Sequence, residues 1–497
     1  MTTSTERDGP RRDATWALPL LALLTVLAAL QRFPARTHEG LWFDEVFTVV
    51  LAVQDHPALI DRALADQTNP PGFYLLAWVW TRLGGFDLEW LRTLPALAGT
   101  LVVPAVAMLA RQLGVHWRGA LLAAVIANAS PLLLAMSLEL RAYAPLALLA
   151  AVSSALALRQ AARPRESLRT AAPLALTQLA LVSLHYFGAL VVVGQCAALW
   201  WTDRRRLFRA VLTALPAALI AVAWVALVLS RAGDAVVGGN ATWIEPADFA
   251  RLRGFAPSVL GTLGLPAGSI LSTTLLAAAI VLAAWQALTA ASVGAPADES
   301  PSTAAGTDAH ARARWLLALG VLPLGLVFVA SSLGPRSLWV PRYLIVVLPA
   351  LCILLAALTD MPARLARAAA TTALAAWALL GGTHDAAARA LKPDWTRIVR
   401  SLAGEAPATV CTNESYVALP LRYHAVREAV PLTVLDFRDC AAQRRGDRAI
   451  LRAETVASLQ GLIQAGAVVG AGRSLTEARP AVDIRRLRWP PRPDARD

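Results

Sequence analysis

An adjacent Asp44-Glu45 pair follows the first long apolar run of the chain, and Asn69-Pro70-Pro71 breaks it again further on. Ionisable groups beside hydrocarbon are costly, so in a chain this apolar those at segment ends carry the most information. They are Asp44 and Glu45, Glu139 and Arg141 with Tyr143, His185 with Tyr186, and Arg336 and Arg342 with Tyr343. A carboxylate can take a proton from a hydroxyl, and guanidinium groups can hold a phosphate through paired hydrogen bonds. Transfer of a sugar from a lipid-linked phosphate needs both, because the nucleophile must be activated and the charge on the leaving phosphate stabilised. Each residue also has a plainer reading. An Asp-Glu dipeptide is often just solvated, arginines at helix ends snorkel, interfacial tyrosines form belts, and a lone histidine at a turn is commonly structural. No His/Cys/Glu spacing resembles a zinc site, and no glycine-rich loop follows a strand, which argues against a sugar-nucleotide donor.

These residues must be positioned by membrane helices. The chain has 497 residues, 57% hydrophobic and only 16% charged, with a mean hydropathy of +0.52. An apolar surplus of this size is buried in a bilayer. Crossing takes roughly 20 apolar residues, and on that measure about eleven spans are expected. They fall at 16–33, 92–110, 119–136, 142–158, 171–184, 187–201, 208–230, 266–288, 315–332, 343–359 and 367–382. The first is read as a retained helix rather than a cleaved signal, because no convincing small-residue cleavage site follows it. The net charge of +12 comes almost wholly from arginine, Lys392 being the only lysine. The arginines cluster between apolar runs, which points to membrane orientation and not to nucleic-acid binding. Arg11, Arg12, Arg118, Arg163, Arg204 and Arg205 crowd short loops on one side, which places the N-terminus (1–15) inside and the C-terminus outside.

The first outer loop, 34–91, contains two segments too short or too interrupted to span. "EVFTVVLAVQDHPALIDRAL" and "GFYLLAWVWTRL" are expected to be amphipathic helices in the outer interface, the second with Tyr74, Trp78 and Trp80 at headgroup level. Pro70-Pro71 would open that second helix, where a missing N–H costs nothing. Residues 291–314 have the Ala, Ser, Pro and Gly content of a cytoplasmic linker. After Gly381-Gly382 the composition turns polar, and short β-like runs alternate with helical ones. A small α/β domain is therefore expected at 383–497, outside the 16–382 membrane domain. Cys196 and Cys352 sit in apolar runs as small core residues, whereas Cys411 and Cys440 could pair if the tail faces an oxidising compartment.

The motifs "LWFDEV", "NPPGFYLLAWVWTRLGG", "EWLRTLPALAGTLVVPAV", "SLELRAYAPLALLAAVSSALALRQA", "LHYFGALVVVGQ", "RYLIVVLPALCILLA" and "KPDWTRIVRSL" occur in that order. From about residue 16 to about residue 425 the chain resembles the glycosyltransferase family 39-like proteins. These are relatives of the protein O-mannosyltransferases and of the aminoarabinose transferases that modify lipid A. The resemblance implies the polytopic α-helical GT-C fold and a sugar donor carried on polyprenyl phosphate at the outer side of the membrane. It implies that Asp44 is the acidic catalytic residue of the first outer loop, with Glu45 its neighbour in the motif. Arg141 and Tyr143 match the R-x-Y opening of the fourth helix, His185-Tyr186 the His-Tyr hairpin, and Arg342-Tyr343 the R-Y-L opening of a late helix. Asn69 stands where many relatives carry His before Pro-Pro, which puts proton transfer at that position in doubt and leaves a hydrogen bond to sugar.

The expected protein is thus a multi-pass glycosyltransferase of the plasma (inner) membrane with its active site outside. It would move a sugar from a polyprenyl-phosphate donor to a lipid, glycan or protein acceptor. Asp44 is the expected base or organiser of base and acceptor, supported by Glu45. Arg342 and Arg141 would hold the donor phosphate, and Tyr143, His185, Tyr186, Asn69 and Tyr343 would contact sugar or donor. A divalent cation between Asp44, Glu45 and phosphate is left open. The competing reading is a lipid or sugar transporter, which predicts charges at the midplane and a repeat of broken helices; neither is found. A membrane scaffold presenting the C-terminal domain is a third.

Overall fold

In the computed structural model, the described residues are 9–162, 168–232, 244–289, 309–359, 364–387, 392–403, 408–452, 459–465, 467–475 and 482–489. Most of the expected linker, 291–308, lies outside them. Helices occupy every segment expected to span. Among the described residues six are long and apolar enough to cross a membrane: Thr15–Thr37, Leu88–Gln112, Tyr143–Ala161, Arg204–Arg231, Pro266–Thr289 and Ala309–Leu333. Shorter apolar helices lie at Trp117–Ala129, Ala171–Leu184, Gly188–Thr202 and Tyr343–Thr359. The chain is a multi-pass membrane protein.

By its contacts the chain forms two compact units. One comprises residues 1–36, 54–85 and 90–388; the other comprises 37–53, 86–89 and 389–497. This differs from a division by sequence position, because the segment carrying Asp44 and Glu45 groups with the C-terminal residues.

The first unit is built from α1 (Gly9–Arg32), α3 (His56–Asp66), α4 (Gly72–Gly84), α5 (Leu88–Gln112), α6 (Trp117–Ala129), α7 (Pro131–Met136), α8 (Tyr143–Ala161), α9 (Leu168–Leu184), α10 (Gly188–Thr202), α11 (Arg204–Ala232), α12 (Phe249–Leu260) and α13 (Pro266–Thr289). It continues through α14 (Ala309–Leu316), α15 (Leu322–Leu333), α16 (Leu348–Ala356) and α17 (Arg364–Ala387). Lipid is as apolar as leucine, so these helices are joined by close approach of small residues and by buried hydrogen bonds. A Cβ on Gly188 would lie 2.1 Å from the Leu181 carbonyl oxygen, and one on Gly194 would lie 2.6 Å from that of Ala318. Gln178 Nε2 donates to Gln195 Oε1 (2.8 Å), and Gln195 Nε2 donates to Ser153 Oγ (3.0 Å), tying α9, α10 and α8. At the end of α1 the buried Arg32 donates to Asn128 Oδ1 (2.7 Å) and Ser137 Oγ (3.1 Å). Large apolar side chains such as Leu219, Val222 and Leu288 stay exposed, as lipid-facing positions should.

The expected first amphipathic helix is two helices, α2 (Phe43–Val53) and α3. Asp55 takes an extended backbone and its carboxylate accepts from Ala58 N–H, capping α3, which Pro57 then opens. Trp80 of α4 and Trp90 of α5 stack with centroids 4.4 Å apart, each indole N–H donating to the other's carbonyl at 2.8 Å.

In the second unit α2 packs on α19 (Ser415–Arg427). A five-stranded sheet runs in the order β2-β1-β3-β5-β4, built from β1 (Ala408–Cys411), β2 (Leu432–Leu435), β3 (Arg448–Arg452), β4 (Val468–Leu475) and β5 (Val482–Arg488). β1 pairs in parallel with β2 and β3, while β5 is antiparallel to both β3 and β4. α18 (Trp395–Ala403) and α19 cover one core, in which Trp395, Val399, Val417 and Leu421 are fully buried. α20 (Phe437–Gln443) carries Cys440, bonded to Cys411 of β1, and α21 (Gln460–Gln464) adds Leu462 to the same second core. The small C-terminal α/β domain is thus present, and Cys411 and Cys440, whose pairing the sequence left open, are bonded in it.

Candidate active site

In the first unit the residues expected to hold the donor come together where three helix starts meet. A tight turn, with Arg141 N–H on the Glu139 carbonyl (2.7 Å), leads into α8 at Tyr143. Arg342 precedes a short 3₁₀ helix, Tyr343–Val347, that feeds α16. His185 lies in the turn between α9 and α10, where the missing Cβ of Gly188 lets the chain fold back on Leu181.

The rings of Tyr143, His185, Tyr343 and Phe187 form one cluster. Centroid separations are 4.9 Å for His185–Tyr343, 5.8 Å for Tyr143–His185, 5.9 Å for Tyr143–Tyr343, and 5.5 Å from Phe187 to both His185 and Tyr343. Both guanidinium groups lie over it, Arg141 and Arg342 each 6.0 Å from the Tyr143 centroid and Arg342 5.6 Å from that of Tyr343. Aromatic faces can support cations at this range without neutralising them.

His185 is 2% exposed. Its Nδ1 accepts from Phe187 N–H (3.1 Å), which leaves the proton on Nε2, and Nε2 has no hydrogen-bond partner among the described residues. Burial, and after it the nearby Arg141 and Arg342, push its pKa down to about 3, so the imidazole is a neutral donor.

His185, Arg141 and Tyr143 line a narrow crevice, too tight as it stands to admit a water molecule, together with Asn69, Phe73 and Tyr74. Tyr74 was expected at headgroup level; it is instead 1% exposed and turned inward. Its hydroxyl lies beside Arg141 and Asn69, and burial pushes its pKa up to about 12 against the pull of Arg141. A phenol in α4 two residues past Gly72 was the available signal, but it was hidden among the belt aromatics Trp78 and Trp80. Asn69 is buried and donates to Thr68 Oγ1 (3.1 Å). Tyr186 faces elsewhere. Its hydroxyl donates to the Gln67 carbonyl (3.3 Å) and accepts from Trp224 Nε1 (3.1 Å), so it ties the first loop to α11. Arg336 is exposed.

Asp44 and Glu45 sit in the first turn of α2, in the second unit. Glu45 is fully buried, and its Oε2 accepts the Trp42 N–H (3.3 Å), the reach-back half of a capping box. Asp44 is partly exposed, and its carbonyl accepts from Thr48 Oγ1 (2.9 Å). Among the described residues no three His, Cys, Asp or Glu side chains gather as a metal site.

No protein-family model matches the chain, and no curated protein matches it by sequence. Solved structures do match. ArnT from Cupriavidus metallidurans in the apo state superposes with a TM-score of 0.56 at 15% identity, over 95% of this chain and 98% of that one. The same protein bound to undecaprenyl phosphate gives 0.54 at 15% identity over the same shares. The oligosaccharyltransferase AglB from Archaeoglobus fulgidus, in complex with an inhibitory peptide and a dolichol-phosphate, gives 0.52 at 13% identity over 90% of this chain and 72% of that one. The architecture is the GT-C fold of membrane glycosyltransferases, as the resemblance implies.

Proposed function

We propose that the protein is a glycosyltransferase that takes a sugar from a polyprenyl-phosphate donor. The observation that carries this reading is the cluster in which the Arg141 and Arg342 guanidinium groups lie over the Tyr143 ring, with Arg141 and the neutral His185 lining the narrow crevice beside it. A site made of donors suits the oxygens of a phosphate, and Arg gives the paired geometry that Lys lacks. Neighbours of the same fold bind undecaprenyl phosphate and dolichol-phosphate, which supports the same class of donor here.

In the proposed reaction Asp44 takes the proton of an acceptor hydroxyl. The new bond joins that oxygen to the anomeric carbon as the bond from that carbon to the phosphate oxygen breaks. The electron pair leaves on the polyprenyl phosphate, where Arg141 and Arg342 stabilise it, and the proton passes from Asp44 to solvent. Tyr143, Tyr343, Tyr74 and Asn69 orient the donor, and Glu45 supports Asp44. A divalent cation, if bound, would be held by Asp44 and Glu45 and would supply positive charge to the leaving phosphate; Glu45 would first have to give up its bond from the Trp42 N–H. The acceptor is a lipid, glycan or protein hydroxyl on the extracytoplasmic face. The arginine bias and the Cys411–Cys440 bond support that side, because disulfides persist in oxidising compartments.

Membranes containing the protein are incubated with a panel of radiolabelled polyprenyl-phosphate sugars. Label leaving one donor, and failing to leave it with Asp44→Asn, supports the reading; retention of all label in every donor overturns it.

A further inference from the structure

The second unit contains a clamp on the chain that carries Asp44. Leu41 and Trp42 share one peptide group, and both of its poles are held. The Leu41 carbonyl accepts from His424 Nε2 (2.9 Å), and the Trp42 N–H donates to Glu45 Oε2 (3.3 Å). Trp42 is the residue at which α2 begins, since Glu45 and Val46 N–H both return to its carbonyl at 3.0 and 2.9 Å. Two residues further along the helix stands Asp44.

The His424 ring is buried in α19 and uses both nitrogens. With the proton on Nε2, Nδ1 accepts from Thr396 Oγ1 (3.1 Å), so α18 fixes the ring that fixes Leu41. Burial holds the imidazole below its ordinary pKa, against the hydrogen bond to Leu41, which raises it. Gly40 leaves the space the ring needs. A Cβ there would stand 2.8 Å from Thr396 Oγ1 and 3.2 Å from His424 Cε1. Around the same turn the Lys392 ammonium lies 4.3 Å from the Trp42 ring centroid, and Phe43 packs on Tyr416 at 5.4 Å. A backbone carbonyl in a loop needs no imidazole to satisfy it, because water does so freely. Spending a buried histidine with both nitrogens engaged serves to fix where the helix starts.

We infer that His424 is the positioning residue of the acidic loop: through the Leu41 carbonyl it sets the direction in which Asp44 leaves α2. The C-terminal domain is thereby part of the catalytic apparatus by way of the loop it holds. This rests on the glycosyltransferase reading for its consequence in catalysis, and not for the clamp itself.

The test uses the full-length protein in lipid nanodiscs, with amide exchange over residues 37–53 as one readout and transfer kinetics as the other. His424→Leu is expected to speed exchange of the Glu45 and Val46 amides by about tenfold. It should lower kcat by about tenfold to a hundredfold with donor KM unchanged, as a misplaced catalytic group does. His424→Gln keeps an N–H at the Nε2 position and should recover most of both. His424→Asn reaches only Thr396 and should resemble Leu. Gly40→Ala attacks the contact from the loop side and should reproduce the Leu effect where His424→Leu fails to fold. Arg438→Ala, exposed on α20, is the unaffected control.

Unchanged exchange in both His424→Leu and Gly40→Ala overturns the clamp. Faster exchange with wild-type kcat overturns its role in positioning. Faster exchange in a protein that transfers no sugar from any donor supports the clamp and sinks the glycosyltransferase reading instead.

Discussion

Gly72 is the first residue of α4, and a Cβ built on it would lie 2.4 Å from the carbonyl oxygen and 2.7 Å from the carbonyl carbon of Ser183 in α9. Both are backbone atoms, so no rotamer change can relieve the clash. Ordinary contact starts at 3.4 Å, so Gly72→Ala must move α4 from α9 by about 1 Å, a displacement that can cost roughly a hundredfold where it misplaces a reacting group. Asn69 and Tyr74 travel with α4, whereas Arg141, Tyr143 and His185 belong to the other side of the crevice. The expected outcome is a loss of about 1 to 3 kcal/mol of stability from overpacking. Donor transfer should also fall, by up to about a hundredfold. Gly254→Ala in α12 and Gly325→Ala in α15 meet nothing within 4 Å. Relieved of a helix glycine, each should be neutral or gain up to about 1 kcal/mol. Thermal unfolding in nanodiscs, with and without added polyprenyl phosphate, reads stability and binding together. If Gly72→Ala unfolds and binds as Gly254→Ala does, α4 is not seated on Ser183 and the crevice is not built this way.

Arg141→Gln or Arg342→Gln should each weaken the polyprenyl-phosphate shift by about ten- to a hundredfold in affinity, the loss of a charged hydrogen bond of roughly 1.5 to 3 kcal/mol. Lysine at either position should restore only part of it. His185, with a folded pKa of about 3 below its ordinary value, favours the folded state fully above pH 6.5. That contribution fades as pH falls from there toward the folded pKa, so His185→Asn should flatten the acid limb of a stability profile between those limits. Nitrogen NMR of labelled histidine should show one ring still neutral near pH 5, and a fully protonated set would refute this. Reduction of Cys411–Cys440, whose sequence separation is 29, should cost about 2 to 4 kcal/mol in the unfolding of the C-terminal domain. An unchanged transition in reductant would contradict that.

The membrane part was legible because lipid imposes one pattern, long apolar helices with charges at their ends. Arg141, Tyr143, His185 and Tyr343 were singled out from that placement together with motif order, and the structure brings them into one cluster. Tyr74 was missed because an aromatic on an amphipathic helix has two faces open to it, and only the packing of Gly72 on Ser183 decides which one points inward. Tyr186 sits next to His185 in sequence, yet successive residues in a turn point apart, and its hydroxyl goes to Gln67 and Trp224. In the C-terminal domain the β-like runs legible in the sequence, ATVCT, LTVLDF and AVVGAG, fall on β1, β2 and β4. β3 (RAILR) and β5 (VDIRRLR) were not legible, because their arginines dilute the apolar signal that pairing across the sheet restores. Glu45 was read for its charge, and its use as a cap depends on a main-chain N–H three residues back that no side-chain pattern reveals.

The passage of the chain between its two units has a consequence for how such a protein can be cut, fused or recombined. Residues 37–53 and 86–89 leave the first unit and return to it before the C-terminal residues are reached. A fragment beginning near residue 389 would lack α2 and present α19 without the helix that packs on it. The C-terminal domain is therefore not a cassette. Exchanging it for that of a relative would graft a foreign His424 position onto a resident Gly40 and Leu41. Chimeras that fold should be those that carry the acidic loop along with the tail, and the two segments should behave as one heritable piece despite the more than three hundred residues of sequence between them.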